Sequence, residues 1–224
     1  MTTLDTDELV RRAIAYPYDP PAGSFVQIGG RTLPVAGPQE IDIVGRRALL
    51  AYGANASPEA LTRKLAHLPP RPVAVLRVAL HGWDVVYSAH VTRYGAVPAA
   101  VVPSPGTVAN VHLVFPDDEQ LAALAATEGR NYRLEQLADF TADLEIGGGG
   151  PAEIDAFVSV HGPLLLDGSP VALAAIPACG RAFPQLTTPE MIDRVRGTIH
   201  PELSLTEFVL HHVEHGGVAP LPEL

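Results

Sequence analysis

The sequence predicts an α+β domain, on three observations. Partly alternating apolar stretches crowd the region between residues 72 and 175, where they read as strands. Segments with helix-start signals and apolar stripes flank and interrupt that region. The composition, 47% hydrophobic and 18% charged over 224 residues, supplies ample apolar surface for one core and is unlike that of a disordered chain. Residues 1–45 read as an N-terminal extension, a short helix plus loop, and residues 46–224 as the main domain with C-terminal helices.

In chain order, Thr6 and Asp7 precede Leu9, Val10, Ala13 and Ile14, one stripe of a first helix. Pro17, Pro20 and Pro21 end it, and loop with short extended pieces follows to about residue 45. Residues 47–52 form an apolar run bounded by Gly53, consistent with a buried strand. At Ser57-Pro58-Glu59 a helix begins, because serine caps free amides, proline wastes none and glutamate suits the dipole. Residues 72–87 alternate as strands broken near Gly82. Further strands are expected at 99–102, 108–115, 133–140 and 154–160, and at 164–175 folded on Asp167-Gly168. Asp117 and Gln120 start a helix with Leu121, Leu124 and Ala125 on its apolar face, ending beside Glu128-Gly129. Two helices are expected after Pro189 and over 204–215, the latter closed by Gly216-Gly217. Gly147 to Gly150 reads as a flexible turn.

Charge and cysteine content narrow the function. A formal net charge of −10, with 15 basic residues scattered among 25 acidic ones, offers no stripe for a nucleic-acid backbone. Long-range attraction for anions is also absent, so a bound carboxylate would be held by local dipoles and hydrogen bonds. Cys179 is the only cysteine, which excludes an intramolecular disulfide and a cysteine-rich zinc site. The acidic stretch from Met1 to Glu8 is unlike a secretory signal, and no apolar run approaches the roughly 18 to 20 residues of a membrane span. Cytoplasmic residence is predicted, with neither nucleic acid nor membrane as partner. Lys64 is the sole lysine beside fourteen arginines, which points to a GC-rich bacterial genome.

The chemistry-bearing candidates are two. Leu50-Ala51-Tyr52-Gly53-Ala54-Asn55 runs from a strand through a glycine turn into a helix, a geometry whose successive amides can hold a carboxylate without arginine. On the residues alone, the commoner role of such a turn is relief of strain. Leu124-Ala125-Ala126-Thr127-Glu128-Gly129, followed by Tyr132-Arg133-Leu134, places a glutamate at the end of a helix. By itself it reads as a solvated helix-end residue.

Taken together, Tyr52-Gly53-Ala54-Asn55, the stretches Tyr94 to Ala99 and Val102 to Gly106, and the Glu128-Gly129 segment resemble the gamma-glutamylcyclotransferase-like family (AIG2-like, BtrG-like) in order and spacing. The likeness spans roughly residues 47–165, and residues 1–45 have no counterpart in it. The resemblance implies a small mixed or antiparallel β-barrel with flanking helices, in which the Tyr52 loop and Glu128 face one cavity. It further implies a small-molecule γ-glutamyl amine or peptide as partner and no cofactor or metal. Glu128 would be the general acid/base in an intramolecular attack of the substrate's α-amine on its γ-carbonyl, releasing 5-oxoproline and an amine. Tyr52, Gly53, Ala54, Asn55 and Tyr132 would bind the substrate. Such a role asks for a Glu128 whose proton affinity is raised by burial and by the helix end. Two positions depart from the pattern: Ala54 stands for the usual serine, and Ala125 for an aspartate. They keep open a non-catalytic binding or interaction module on the same fold.

Other signals are weaker. His211-His212-Val213-Glu214-His215 fits H-x-x-E-H, a short pattern readily met by chance and supplying only part of a zinc site. Cys179 has no flanking nucleophile signature, and a packed core position is expected. No G-x-S-x-G elbow, P-loop lysine or helix-opening G-x-G-x-x-G occurs.

Overall fold

The computed structural model of the chain describes residues 5–147 and 149–224. In chain order the elements are α1 (Thr6–Ile14), β1 (Phe25–Ile28), β2 (Arg31–Pro34), β3 (Leu49–Ala51), α2 (Pro58–Leu65), β4 (Pro72–Tyr87), β5 (Ala99–Phe115), α3 (Asp118–Glu128), β6 (Tyr132–Gln136), β7 (Thr141–Leu144), β8 (Asp155–Ser159), β9 (Leu165–Leu166), β10 (Ser169–Pro170), β11 (Ala172–Leu173), β12 (Ala178–Cys179), β13 (Gln185–Leu186), α4 (Thr188–Ile199) and α5 (Leu205–His215). The protein is thus α+β, with a large, mostly antiparallel sheet. Its main path is β13-β11-β4-β5-β3-β8-β6, and its two end strands are not paired with each other.

The long β4–β5 hairpin is the spine, in register from Ala74↔Phe115 to Tyr87↔Ala99. Pairing slips between His81 and Trp83, where Gly82 has φ +85°, a conformation that favours glycine. Opposite this point, residues 104–107 of β5 have no partner on β4, so Pro105, which has no amide to donate, costs the ladder nothing. The two strands expected at 99–102 and 108–115 are therefore one strand with a bulge, closed by the Ser104 and Thr107 hydroxyls 2.7 Å apart. β1 extends the sheet by pairing with β4, and β7 pairs with β4 at Val78 to His81. Gly148 lies outside the described residues, and with it part of the glycine turn expected at 147–150.

Alternation along the strands splits the core into two clusters. Leu49, Ala51, Val73, Val75 and Val114 pack with Leu61 of α2 and Leu124 of α3. Leu50, Tyr52, Leu76 and Leu113 belong to the larger cluster, which also takes Ala13 of α1, Met191, Ile192 and Val195 of α4, and Phe208 and Val209 of α5. Helix starts follow local chemistry: Ser57 Oγ accepts from the Ala60 amide, and α3, α4 and α5 each carry a capping box, at Asp117/Gln120, Thr187/Glu190 and Ser204/Glu207. No helix among the described residues is long and apolar enough to cross a membrane.

A further expectation is corrected. Cys179 is exposed, because it sits on the short edge strand β12 and not in a core layer. The segment before residue 46 carries the expected short helix and gives the sheet two short strands, β1 and β2; it packs α1 against α4 and α5 and contributes to the cavity described next.

Candidate functional site

A cavity of about 860 Å³ opens between the β3–α2 loop, the C-terminal end of α3, the β4–β5 hairpin loop and the segment following α1. All six residues singled out from sequence line it: Tyr52, Gly53, Ala54, Asn55, Glu128 and Tyr132.

Glu128 ends α3, where Gly129 at φ +61° turns the chain away. A carboxylate here opposes the helix dipole, so a cation must offset it. Lys64 does so, with Nζ 2.9 Å from Glu128 Oε1; the two side chains are only 14% and 16% exposed. Lys64 also donates to Asn55 Oδ1 at 2.8 Å, while Asn55 Nδ2 donates to Glu128 Oε1 at 3.3 Å. The three side chains form a closed triangle of polar contacts. The carboxylate is therefore paired with an ammonium, a partner that the sequence reading did not name.

The loop before α2 carries a short 3-10 turn over Ala54–Ala56, and its hydrogen bonding decides which amides are free. The Ala56 and Ser57 amides donate to the Gly53 and Ala54 carbonyls, at 3.1 and 3.0 Å. Those of Gly53, Ala54 and Asn55 have no partner among the described residues. The turn has a physical requirement for glycine: a Cβ on Gly53 would lie 2.4 Å from the Tyr16 hydroxyl oxygen. Ala54 lines the cavity, so the position that lacks serine's hydroxyl faces the ligand space. Ala125 instead packs against the smaller core cluster.

Tyrosines make up much of the wall, and backbone groups hold them. Tyr52 donates to the Phe157 carbonyl of β8, Tyr132 donates to the Ala99 carbonyl at 2.7 Å, and the Ala99 amide donates to the Tyr16 hydroxyl at 3.0 Å. Burial, with the Glu128 charge adding to it, pushes the Tyr52 phenol far above its ordinary range. Burial does the same to Tyr132, reinforced by Tyr16, Tyr52 and Glu128, and to Tyr16, reinforced by Tyr94. These phenols stay neutral and position backbone. They are not bases.

His90, also in the wall, was not flagged by the sequence. Its ring stands edge-on to Tyr132 with centroids 5.7 Å apart, and its Nδ1 lies 2.8 Å from Ser88 Oγ. Burial, with His161 adding to it, lowers its pKa to about 3, so the imidazole is neutral. Lys64 had a legible signal: with Leu61 and Leu65 it occupies the i, i+3, i+4 spacing of the apolar face of α2. Arg12, Tyr16 and Tyr18 had none, since nothing local tells that the first helix folds back over the loop. His211 and His215 stack on each other with ring centroids 4.5 Å apart and do not line the cavity.

Fold and site together define an α+β protein with a tyrosine-walled cavity in which a carboxylate, an ammonium and a carboxamide meet beside three free backbone amides. No protein-family model matches the chain, and no curated protein does either. Among solved structures it is similar to an Arabidopsis thaliana protein known from its solution structure, at 16% identity over 57% of this chain, with a TM-score of 0.40. The match spans 66% of that protein, just under two thirds of its length.

Proposed function

We propose that this chain is a cyclotransferase of the gamma-glutamylcyclotransferase-like type, acting on a γ-glutamyl amine or peptide. The observation that carries the reading is the Asn55–Glu128 contact: it joins, across 73 residues of sequence, the amide-rich turn and the acid on which the resemblance rests.

In this reading the free amides of Gly53, Ala54 and Asn55 hold the substrate's α-carboxylate. The α-ammonium gives a proton to Glu128, and the freed nitrogen attacks the γ-carbonyl carbon. The bond from that carbon to the leaving nitrogen breaks as Glu128 returns the proton to it, and the second proton shed by the ring nitrogen passes to the departing amine, so 5-oxoproline and an ammonium leave without water being consumed. Because nucleophile and electrophile belong to one molecule, holding the substrate bent supplies proximity worth on the order of 7–11 kcal/mol in favourable cases. Lys64 acts as a positioning residue, keeping the Glu128 carboxylate aimed at the cavity.

The test is a panel of γ-glutamyl amines and peptides assayed for 5-oxoproline. At least one should turn over, and E128Q should bind it yet lose about 10²–10⁴-fold in kcat. Full activity in E128Q removes Glu128 from the mechanism. The second reading is a non-catalytic binding module, which the ammonium already seated on Glu128 favours. Saturable binding of a panel member without turnover of any would establish that reading instead.

A further inference from the structure

The cavity holds positive charge that the cyclisation chemistry does not use. In a chain of formal net charge −10, four cationic side chains line it, Arg12, Arg63, Lys64 and Arg93, and Glu128 is the one acidic side chain among the described residues that does. Lys64 is matched by Glu128, and Arg63 lies 3.7 Å from Glu59. Arg93 is exposed, so water screens it. Arg12 differs from all three. It comes from α1, its guanidinium carbon lies 4.8 Å from the centroid of the Tyr94 ring, and its Nε is buried with no hydrogen-bond partner. It forms no ion pair among the described residues. The Tyr18 hydroxyl and His90 Nε2, in the same wall, are likewise buried without partners. Buried polar groups are normally satisfied, and each exception requires a cause. Here three of them gather around one cavity.

A guanidinium stacked on an aromatic ring keeps its N–H edge available, and that edge matches a carboxylate with two parallel hydrogen bonds. We propose that Arg12, backed by Tyr94, is a second anchor of the cavity and binds a carboxylate on the part of the ligand that leaves as the amine. The position of this carboxylate within the ligand rests on the cyclotransferase reading; the anion anchor itself does not. The segment before residue 46 would then set substrate selectivity, favouring γ-glutamyl compounds whose amine portion is acidic over those whose amine portion is uncharged.

The experiment measures binding to the full chain by calorimetry in the Glu128→Gln background, where turnover does not consume the probe. Three probes are used: γ-glutamylglycine, γ-glutamylglycinamide, in which that glycine carboxylate is an amide, and succinate, a dicarboxylate with no γ-glutamyl group. A charge-assisted bidentate contact predicts that γ-glutamylglycine binds at least about tenfold more tightly than its amide. Adding R12Q should bring the two within about twofold and leave the amide's affinity unchanged. R12K, which keeps charge without the planar fork, should retain part of the preference and serves if R12Q fails to fold. If only succinate binds, and R12Q abolishes it, the anion anchor stands and the cyclotransferase reading falls. Equal affinity for acid and amide, a preference that survives R12Q, or no binding of any probe overturns the inference.

Discussion

Asp84 and Arg181 should be the most sensitive pair in the molecule. Asp84 lies on β4 just past the bulge and is fully buried, and Arg181 is 9% exposed. The guanidinium grips both carboxylate oxygens, Nε to Oδ2 and Nη2 to Oδ1 at 2.9 Å each, while Asp84 Oδ1 also accepts the Val85 amide at 2.8 Å. The same Nη2 also donates to the Ile176 carbonyl, so the contact fastens the 174–184 segment to the sheet. D84N keeps the shape and removes the charge, stranding a guanidinium in a nearly dry site. Breaking one partner of such a pair costs about 3–5 kcal/mol. For a chain of this size, each kcal/mol lowers Tm by roughly 2–4 °C, so D84N should melt about 6–20 °C lower. Denaturant unfolding followed by fluorescence and circular dichroism gives the free energy directly. The D84L/R181M double variant supplies the control, since an apolar pair of similar volume is often neutral or better, and it should recover most of the loss. A D84N loss below about 1 kcal/mol, or a double variant that loses the sum of both singles, would refute the reasoning.

Other outcomes follow from the same geometry. G53A should cost about 1–3 kcal/mol by forcing Tyr16 aside, and because Y16F removes the clashing oxygen, the Y16F/G53A double variant should lose less than the two singles combined; strict additivity in unfolding titrations would argue against the contact. L124A, at a fully buried position between α3 and the sheet, should lose about 2–5 kcal/mol by the same measurement. Stability should fall on acidification: burial and His161 hold His90 at about 3, and burial and Arg77 hold His112 at about 4, both below the ordinary 6.5. In that window the unfolded chain binds more protons than the fold, so stability rises with pH between those values and about 6.5. Each histidine contributes a slope of up to about 1.4 kcal/mol per pH unit. H112N should flatten that slope if it folds, and an unchanged pH profile would show that His112 is not held neutral.

What the sequence determined by itself was local. Ser57-Pro58, Asp117 with Gln120, and Ser204 with Glu207 begin helices because side-chain oxygens answer amides three residues away, an interaction complete within one turn of chain. Gly82 marks the bulge because its conformation is a property of one residue. The glycine turn at Tyr52 to Asn55 was legible for the same reason, as was Glu128 at the end of an apolar-striped helix. Tertiary structure decided the rest. That Glu128 meets an ammonium depends on α2 lying beside α3, and Lys64 showed only that it shared a buried face. That Gly53 must be glycine depends on Tyr16, 37 positions earlier, placing its hydroxyl over that residue. The place of Arg12 in the cavity wall depends on α1 folding back against α4 and α5, through contacts separated by most of the chain. Charge and hydrogen-bond complementarity across such distances leave no periodic trace, because the free energy that selects them arises only when desolvated groups meet.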